Sequence, residues 1–118
     1  MYVLDTNTLI YYFKGQGQVA ANLAKIPNQE IMIPTIVLFE LQVGIAKSNS
    51  PAKRTQKLQQ LLNQVNLGSF NRDAAFAAAK IRADLEQKGT PIGQMDVLIA
   101  GIAIALQCIL STLSKSNI

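Results

Sequence analysis

The chain is expected to fold as a single α/β domain, a central parallel sheet covered by helices on both faces. Three observations point there. Short apolar runs of strand length alternate with stretches of helical period. The connections between them are short, as strand–helix–strand units require. And 118 residues suit one hydrophobic core, so residues 1–118 are read as one domain.

Taken in order, residues 2–4 read as a buried strand ending at Asp5. Residues 8–14 have helical character and are broken by Gly15 and Gly17. A short helix over 19–25 is closed by Pro27 and Asn28, and residues 31–33 form the second strand. Thr35 is the expected N-cap of a helix over 36–47. After a turn at 48–51, Pro51 suits the first position of a helix over 52–66, which repeats Leu58, Leu61, Leu62 and Val65 at helical spacing. Asn71 caps a helix over 72–88 whose stripe of Ala75, Phe76, Ala79 and Leu85 is expected to face the core, with Gly89 as its stop. A loop over 89–93 leads to an almost wholly apolar helix over 95–106 and a final strand over 108–110. Ligands of such folds gather beyond the carboxyl ends of the strands, which is where Asp5 and the Thr112 region fall.

Composition narrows the chemistry. There is no His, which removes Ser-His-Asp and Cys-His catalysis, paired-His cleavage of RNA and every His-ligated metal site. The single Cys, Cys108, excludes an internal disulfide and reads as a buried small hydrophobe. Eleven Lys and Arg against seven Asp and Glu give a net charge of +4, a modest bias toward polyanions. The cations Lys47, Lys53, Arg54 and Lys57 cluster loosely, and Lys80, Arg82 and Lys88 follow on a later helix; both groups read first as solvated faces. Only 15% of residues are charged, which leaves apolar surface for a partner. The N-terminal stretch lacks the pattern of a signal peptide, and the longest apolar run, 97–106, is far short of the ~20 residues that cross a bilayer. A cytoplasmic protein without membrane contact is expected.

Of the seven acids, Glu30, Asp73, Asp84 and Glu86 lie in a turn or among polar neighbours. Asp5 directly follows the apolar Val3-Leu4 and is either a functional carboxylate or the cap of the following helix. Glu40 shares its helical face with Ile36, Val37, Val43 and Gly44, where a solvated Glu would have polar company. It calls for a cation, a specific donor, a partner interface or a buried pair with Arg or Lys. Asp96 opens the apolar helix as either an N-cap or a metal ligand. Three such carboxylates have a joint use: a hard divalent ion takes carboxylate oxygens, keeps waters and holds a phosphate oxygen.

These residues resemble the motifs of a known family. Val3-Leu4-Asp5-Thr6-Asn7-Thr8-Leu9-Ile10 is similar to the first motif of PIN domains, particularly the VapC-type toxins of bacterial toxin–antitoxin modules. Pro34-Thr35-Ile36-Val37-Leu38-Phe39-Glu40-Leu41 with Gly44 resembles the second. The third is resembled by Ile81-Arg82-Ala83-Asp84-Leu85-Glu86-Gln87-Lys88-Gly89, Ile92-Gly93 and Met95-Asp96-Val97-Leu98-Ile99-Ala100. The resemblance implies a three-layer α/β/α PIN-like fold, endonucleolytic hydrolysis of RNA dependent on Mg²⁺ or Mn²⁺, a cognate VapB-type antitoxin and a homodimer. It makes Asp5, Glu40 and Asp96 the catalytic, metal-binding acids, with Asn7 and Thr112 as polar support. At its end the chain keeps Thr112 but has Ser114 and Asn117 where the family has Asn and a fourth acid, and the family's further strand is expected to be missing. The alternative function is a catalytically weakened PIN domain that binds antitoxin or RNA without efficient cleavage. A haloacid-dehalogenase-type phosphatase also begins on a strand ending in Asp, but it needs a second Asp where this chain has Asn7.

Overall fold

The structure, a computed structural model, describes residues 1–15, 17–107 and 109–110, the last two by backbone alone. Four short strands, β1 (Tyr2–Val3), β2 (Ile31–Pro34), β3 (Asn66–Gly68) and β4 (Ile109–Leu110), form one sheet in the order β3-β2-β1-β4. Every pairing is parallel. The helices are α1 (Thr6–Lys14), α2 (Val19–Leu23), α3 (Thr35–Ala46), α4 (Pro51–Leu62), α5 (Arg72–Gln87) and α6 (Gln94–Ala105), with a 3-10 turn at Asn28–Glu30.

β2 shows why the sheet needs helices on both sides. Its side chains alternate between the two faces, yet Ile31, Met32, Ile33 and Pro34 are all buried. Val3, Leu4, Leu9, Val37, Leu58 and Ile102 complete a core with no exposed surface. The α/β fold class, with its central parallel sheet, is as the sequence predicts. Among the described residues no helix is long and apolar enough to cross a membrane.

Several local expectations are corrected. α1 begins at Thr6, two residues earlier than its apolar pattern suggests, because Asp5 caps it. At the other end Gly15 takes the left-handed conformation (φ 66°) and shares its N–H between the carbonyls of Tyr11 and Tyr12. Thr35 is inside α3 and does not cap it; Pro34 is the cap residue and provides no side-chain bond. The helix expected to reach residue 66 stops at Leu62, and Asn66–Gly68 is an edge strand that the sequence reading missed. Asn66 Nδ2 donates to the carbonyls of Gln29 (2.8 Å) and Ile31 (3.3 Å), holding β3 against the start of β2. Three residues are too few to display a strand period, so in sequence Asn66 reads as the end of the helix and Leu67 and Gly68 as its connection.

The core-facing stripe of α5 is also different. Ala74 and Ala78 are buried, whereas Ala75 and Ala79 are exposed and Phe76 is 67% exposed. The reason is close helix packing. α5 crosses α6 at Gly101, where an added Cβ would stand 2.7 Å from both Ala74 O and Ala78 Cβ. Small residues therefore mark the contact, and the bulky Phe76 lies on the opposite side. The final strand, expected over 108–110, is observed at Ile109–Leu110, and Cys108 lies outside the described residues.

Gly101→Val is expected to lower unfolding free energy by roughly 1–3 kcal/mol through overpacking. Phe76→Ala should change it by no more than about 0.5 kcal/mol, as an exposed substitution does. Urea denaturation midpoints of the two variants check both values.

Candidate active site

The carboxyl end of β1 is where the chain reverses its lateral course: β2 and β3 lie to one side of β1 and β4 to the other. Open parallel sheets bind ligands at such a switch point. Asp5 leaves this edge as the N-cap of α1, with extended backbone (φ −85°, ψ 173°). Its Oδ1 accepts the Thr8 N–H at 2.8 Å. Asp5 is thus a helix cap, and Oδ2 has no hydrogen-bond partner among the described residues.

Glu40 stands in the second turn of α3, which follows β2 without a linking residue. Its Oε1 accepts the hydroxyl of Thr6 at 2.6 Å. Because Thr6 is the residue after Asp5, this bond links the start of α1 to Glu40 across 34 residues of sequence. The sequence reading missed Thr6. The signal was its place directly after Asp5, hidden because α1 was expected to begin at Thr8. Asn7, expected to support the carboxylates, is exposed and makes no side-chain hydrogen bond among the described residues. Thr112 lies outside the described residues.

The surroundings of Glu40 are more open than its apolar face-mates suggest. Val37 is buried and Ile36 half-buried, but Val43 is 39% exposed and Gly44 is exposed. Among the described residues the ion pairs are Met1 N-terminus–Glu30 and Arg82–Glu86, so neither Asp5 nor Glu40 is neutralised by a cation. This removes the buried Arg or Lys pair considered for Glu40.

Asp96 is the third residue of α6 and does not cap it; Gly93 is the cap residue, without a side-chain bond. In the first turn its charge is favourable to the helix dipole. The turn is tied to α5 by Arg82, whose Nη1 donates to Gln94 Oε1 at 3.2 Å while its Nε pairs with Glu86 at 3.5 Å. Asp96 is exposed, and no described contact joins it to Asp5 or Glu40. Among the described residues no three acids close into a ready-made metal cage. The donor set still fits one kind of ion. Mg²⁺ keeps several waters and is commonly held by one or two carboxylates, and the half-buried Asp5 and Glu40, the latter bonded to the neighbour of the former, offer that.

A parallel α/β domain with unneutralised acids at its switch point is a recognisable class of protein. The PIN-domain family model matches residues 2–113, and the chain belongs to that family. Among its relatives, Ribonuclease VapC2 of Rickettsia felis is 38% identical over 116 residues, covering 95% of this chain and 85% of that one. The tRNA(fMet)-specific endonuclease VapC of Salmonella typhimurium is 31% identical over 102 residues, covering 86% and 77%. The fold matches that of VapBC2 from Rickettsia felis bound to a DNA fragment from their promoter, with a TM-score of 0.85 at 37% identity, over 92% of this chain and 84% of that one.

Asp5→Asn retains a good cap and should leave stability within a few tenths of a kcal/mol, whereas Asp5→Ala should cost about 0.5–2 kcal/mol. Thermal unfolding of the two variants separates the structural role of Asp5 from its charge.

Proposed function

We propose that the chain is an endoribonuclease that hydrolyses RNA phosphodiesters with a bound Mg²⁺ or Mn²⁺. The observation that carries this is the Asp5–Thr6–Glu40 constellation at the carboxyl end of β1: Thr6, the chain neighbour of Asp5, donates its hydroxyl to Glu40, and among the described residues no cation balances either carboxylate. Burying part of an acid pair without a counter-charge is costly unless an ion repays it. The similarity to proteins named ribonuclease and endonuclease supports the same reading.

Asp5 Oδ2 and Glu40 Oε2 are the oxygens left for the ion, since Oδ1 is engaged by Thr8 N–H and Oε1 by Thr6. Asp96 is the third acid of the proposed site. A bound divalent ion supplies positive charge to the phosphate oxygens and makes an attacking water more acidic. The helix-cap bond orients Asp5, and the Thr6 hydroxyl orients Glu40, so each carboxylate is held by a neutral donor as RNA arrives. Without any His in the chain, proton transfers fall to carboxylates and water.

We also assign the chain as the toxin of a VapB-type antitoxin pair, by analogy with the relatives, and as a homodimer, as the family resemblance implies. Several solved neighbours are complexes of the VapBC type, including those from Rickettsia felis and Salmonella typhimurium.

The test is incubation with single-stranded RNA and Mg²⁺ or Mn²⁺, with EDTA alongside. Cleavage should vanish with EDTA, and fall at least about 100-fold in Asp5→Asn and Asp96→Asn with the fold retained, the scale of losing a charge-stabilising group in a reaction. A folded Asp96→Asn protein with full activity would sink that assignment. Folded wild type that binds metal and RNA but does not cut would establish the weakened binding domain instead. Thr6→Val should lower activity roughly 10–100-fold, as loss of a partner that orients a metal-binding carboxylate does. A metal titration of the same variant, read by calorimetry, should show weaker binding.

A further inference from the structure

Thr6, Ile10 and Lys14 recur every four residues and so share one face of α1. Glu40 and Gly44, with Leu41 and Ile45, form the matching row on α3. The Thr6–Glu40 bond joins the rows at one end. Beyond it they open into a groove of about 690 Å³ walled by Ile10, Leu41, Gly44 and Ile45. At the far end stand Lys14 and, from α4, Lys53, Arg54 and Lys57. All four are exposed, and none is ion-paired among the described residues. α4 carries no acid that could balance them. The groove therefore opens one helical turn beyond Thr6 and Glu40, which do not line it, and ends at unneutralised cations.

We infer that this groove is the path of the RNA strand beside the cleavage site, with Lys14, Lys53, Arg54 and Lys57 as positioning residues for phosphates flanking the one that is cut. The inference rests on the ribonuclease reading above. Thr6 and Lys14 are eight residues apart, about 12 Å along a helix axis. That is several times the ~3.4 Å rise per nucleotide of a stacked strand, so the cations meet neighbouring phosphates and not the reacting one. Phe13, half-buried and edge-on to Tyr12 at 5.3 Å, lines the same groove and offers a ring for a base to stack on. A second groove, also lined by Phe13 and Lys57, continues past Gln60 and Gln64, so the track does not end at the basic cluster.

Two variants test the path independently. The triple variant Lys53→Gln, Arg54→Gln, Lys57→Gln removes charge. Gly44→Leu fills the groove without changing charge, and an added Cβ there has nothing within 4 Å to collide with. A control triple, Arg72→Gln, Lys80→Gln, Lys88→Gln, removes the same charge from α5. Binding of a fluorescent single-stranded RNA is measured by anisotropy in EDTA across a salt series. The α4 triple should bind roughly tenfold or more weakly, and its salt slope should fall by about 2, near 0.7 per lost phosphate contact. Gly44→Leu should weaken binding with an unchanged slope, and the control should match wild type. In the cleavage assay both groove variants should raise KM and keep kcat.

If wild type cuts RNA and both groove variants bind and cut as it does, the path is wrong while the nuclease reading stands. If wild type fails to cut but the groove variants lose RNA, the nuclease reading fails and the groove remains an RNA site. Groove variants that keep RNA but lose an acidic protein partner would overturn the inference and give the groove to that partner.

Discussion

β1 and β2 pair in parallel through Tyr2↔Ile31 and Val3↔Met32, and Leu4 extends the ladder with its N–H to Met32 O at 3.1 Å. This pairing is short, and the site depends on it. It brings the start of α1 beside the start of α3, since each helix follows its strand almost at once. A one-residue slip would turn Val3 and Leu4 to the wrong faces of a sheet buried on both sides. It would also carry Asp5 and Thr6 away from Glu40. Core burial and site geometry thus share one register, and the apolar core holds the acids where their own repulsion would not.

The electrostatics of the molecule follow from which charges the fold leaves unpaired. Ion pairs among the described residues involve Glu30 and Glu86, and neither Asp5 nor Glu40. Asp5 and Glu40 are held by neutral donors, a backbone N–H and a hydroxyl. Such donors orient a carboxylate and leave its charge available to a ligand. The cations of α1 and α4 are left equally free, and their separation from the acids, with Glu40 at one end of the α1–α3 seam and Lys14 at the other, gives the +4 chain a direction as well as a net charge.

The low charged fraction has a visible counterpart on the surface. Phe39 is 55% exposed, Phe76 67% and Ile104 57%, alongside Val43 at 39%. Phe39 and Val43 flank Glu40 on α3, one turn apart. The apolar face that the sequence assigned to burial around Glu40 is therefore partly open surface. Arg72 lies over the Phe76 ring at 5.8 Å, covering part of that aromatic with a cation.

The sequence by itself determined the α/β class and most element positions, and it singled out Asp5, Glu40 and Asp96 as candidates. Each of these leaves a local mark: alternating periods, turn residues, or a carboxylate in apolar company. Asn71 and Pro51 stand at the helix starts that their chemistry demands. Tertiary structure alone decided the rest. β3 exists because Asn66 and its neighbours pair with β2, a contact with no period in a three-residue segment. The buried face of α5 is set by how closely Gly101 lets α6 approach, so small residues and not bulky ones mark it. Thr6 became part of the site only when α3 brought Glu40 to its hydroxyl, a partner 34 residues away. The meeting of Lys14 with the cations of α4 likewise needs two helices packed side by side. Local chemistry is written in consecutive residues, whereas a shared groove depends on distances between segments that the sequence does not print.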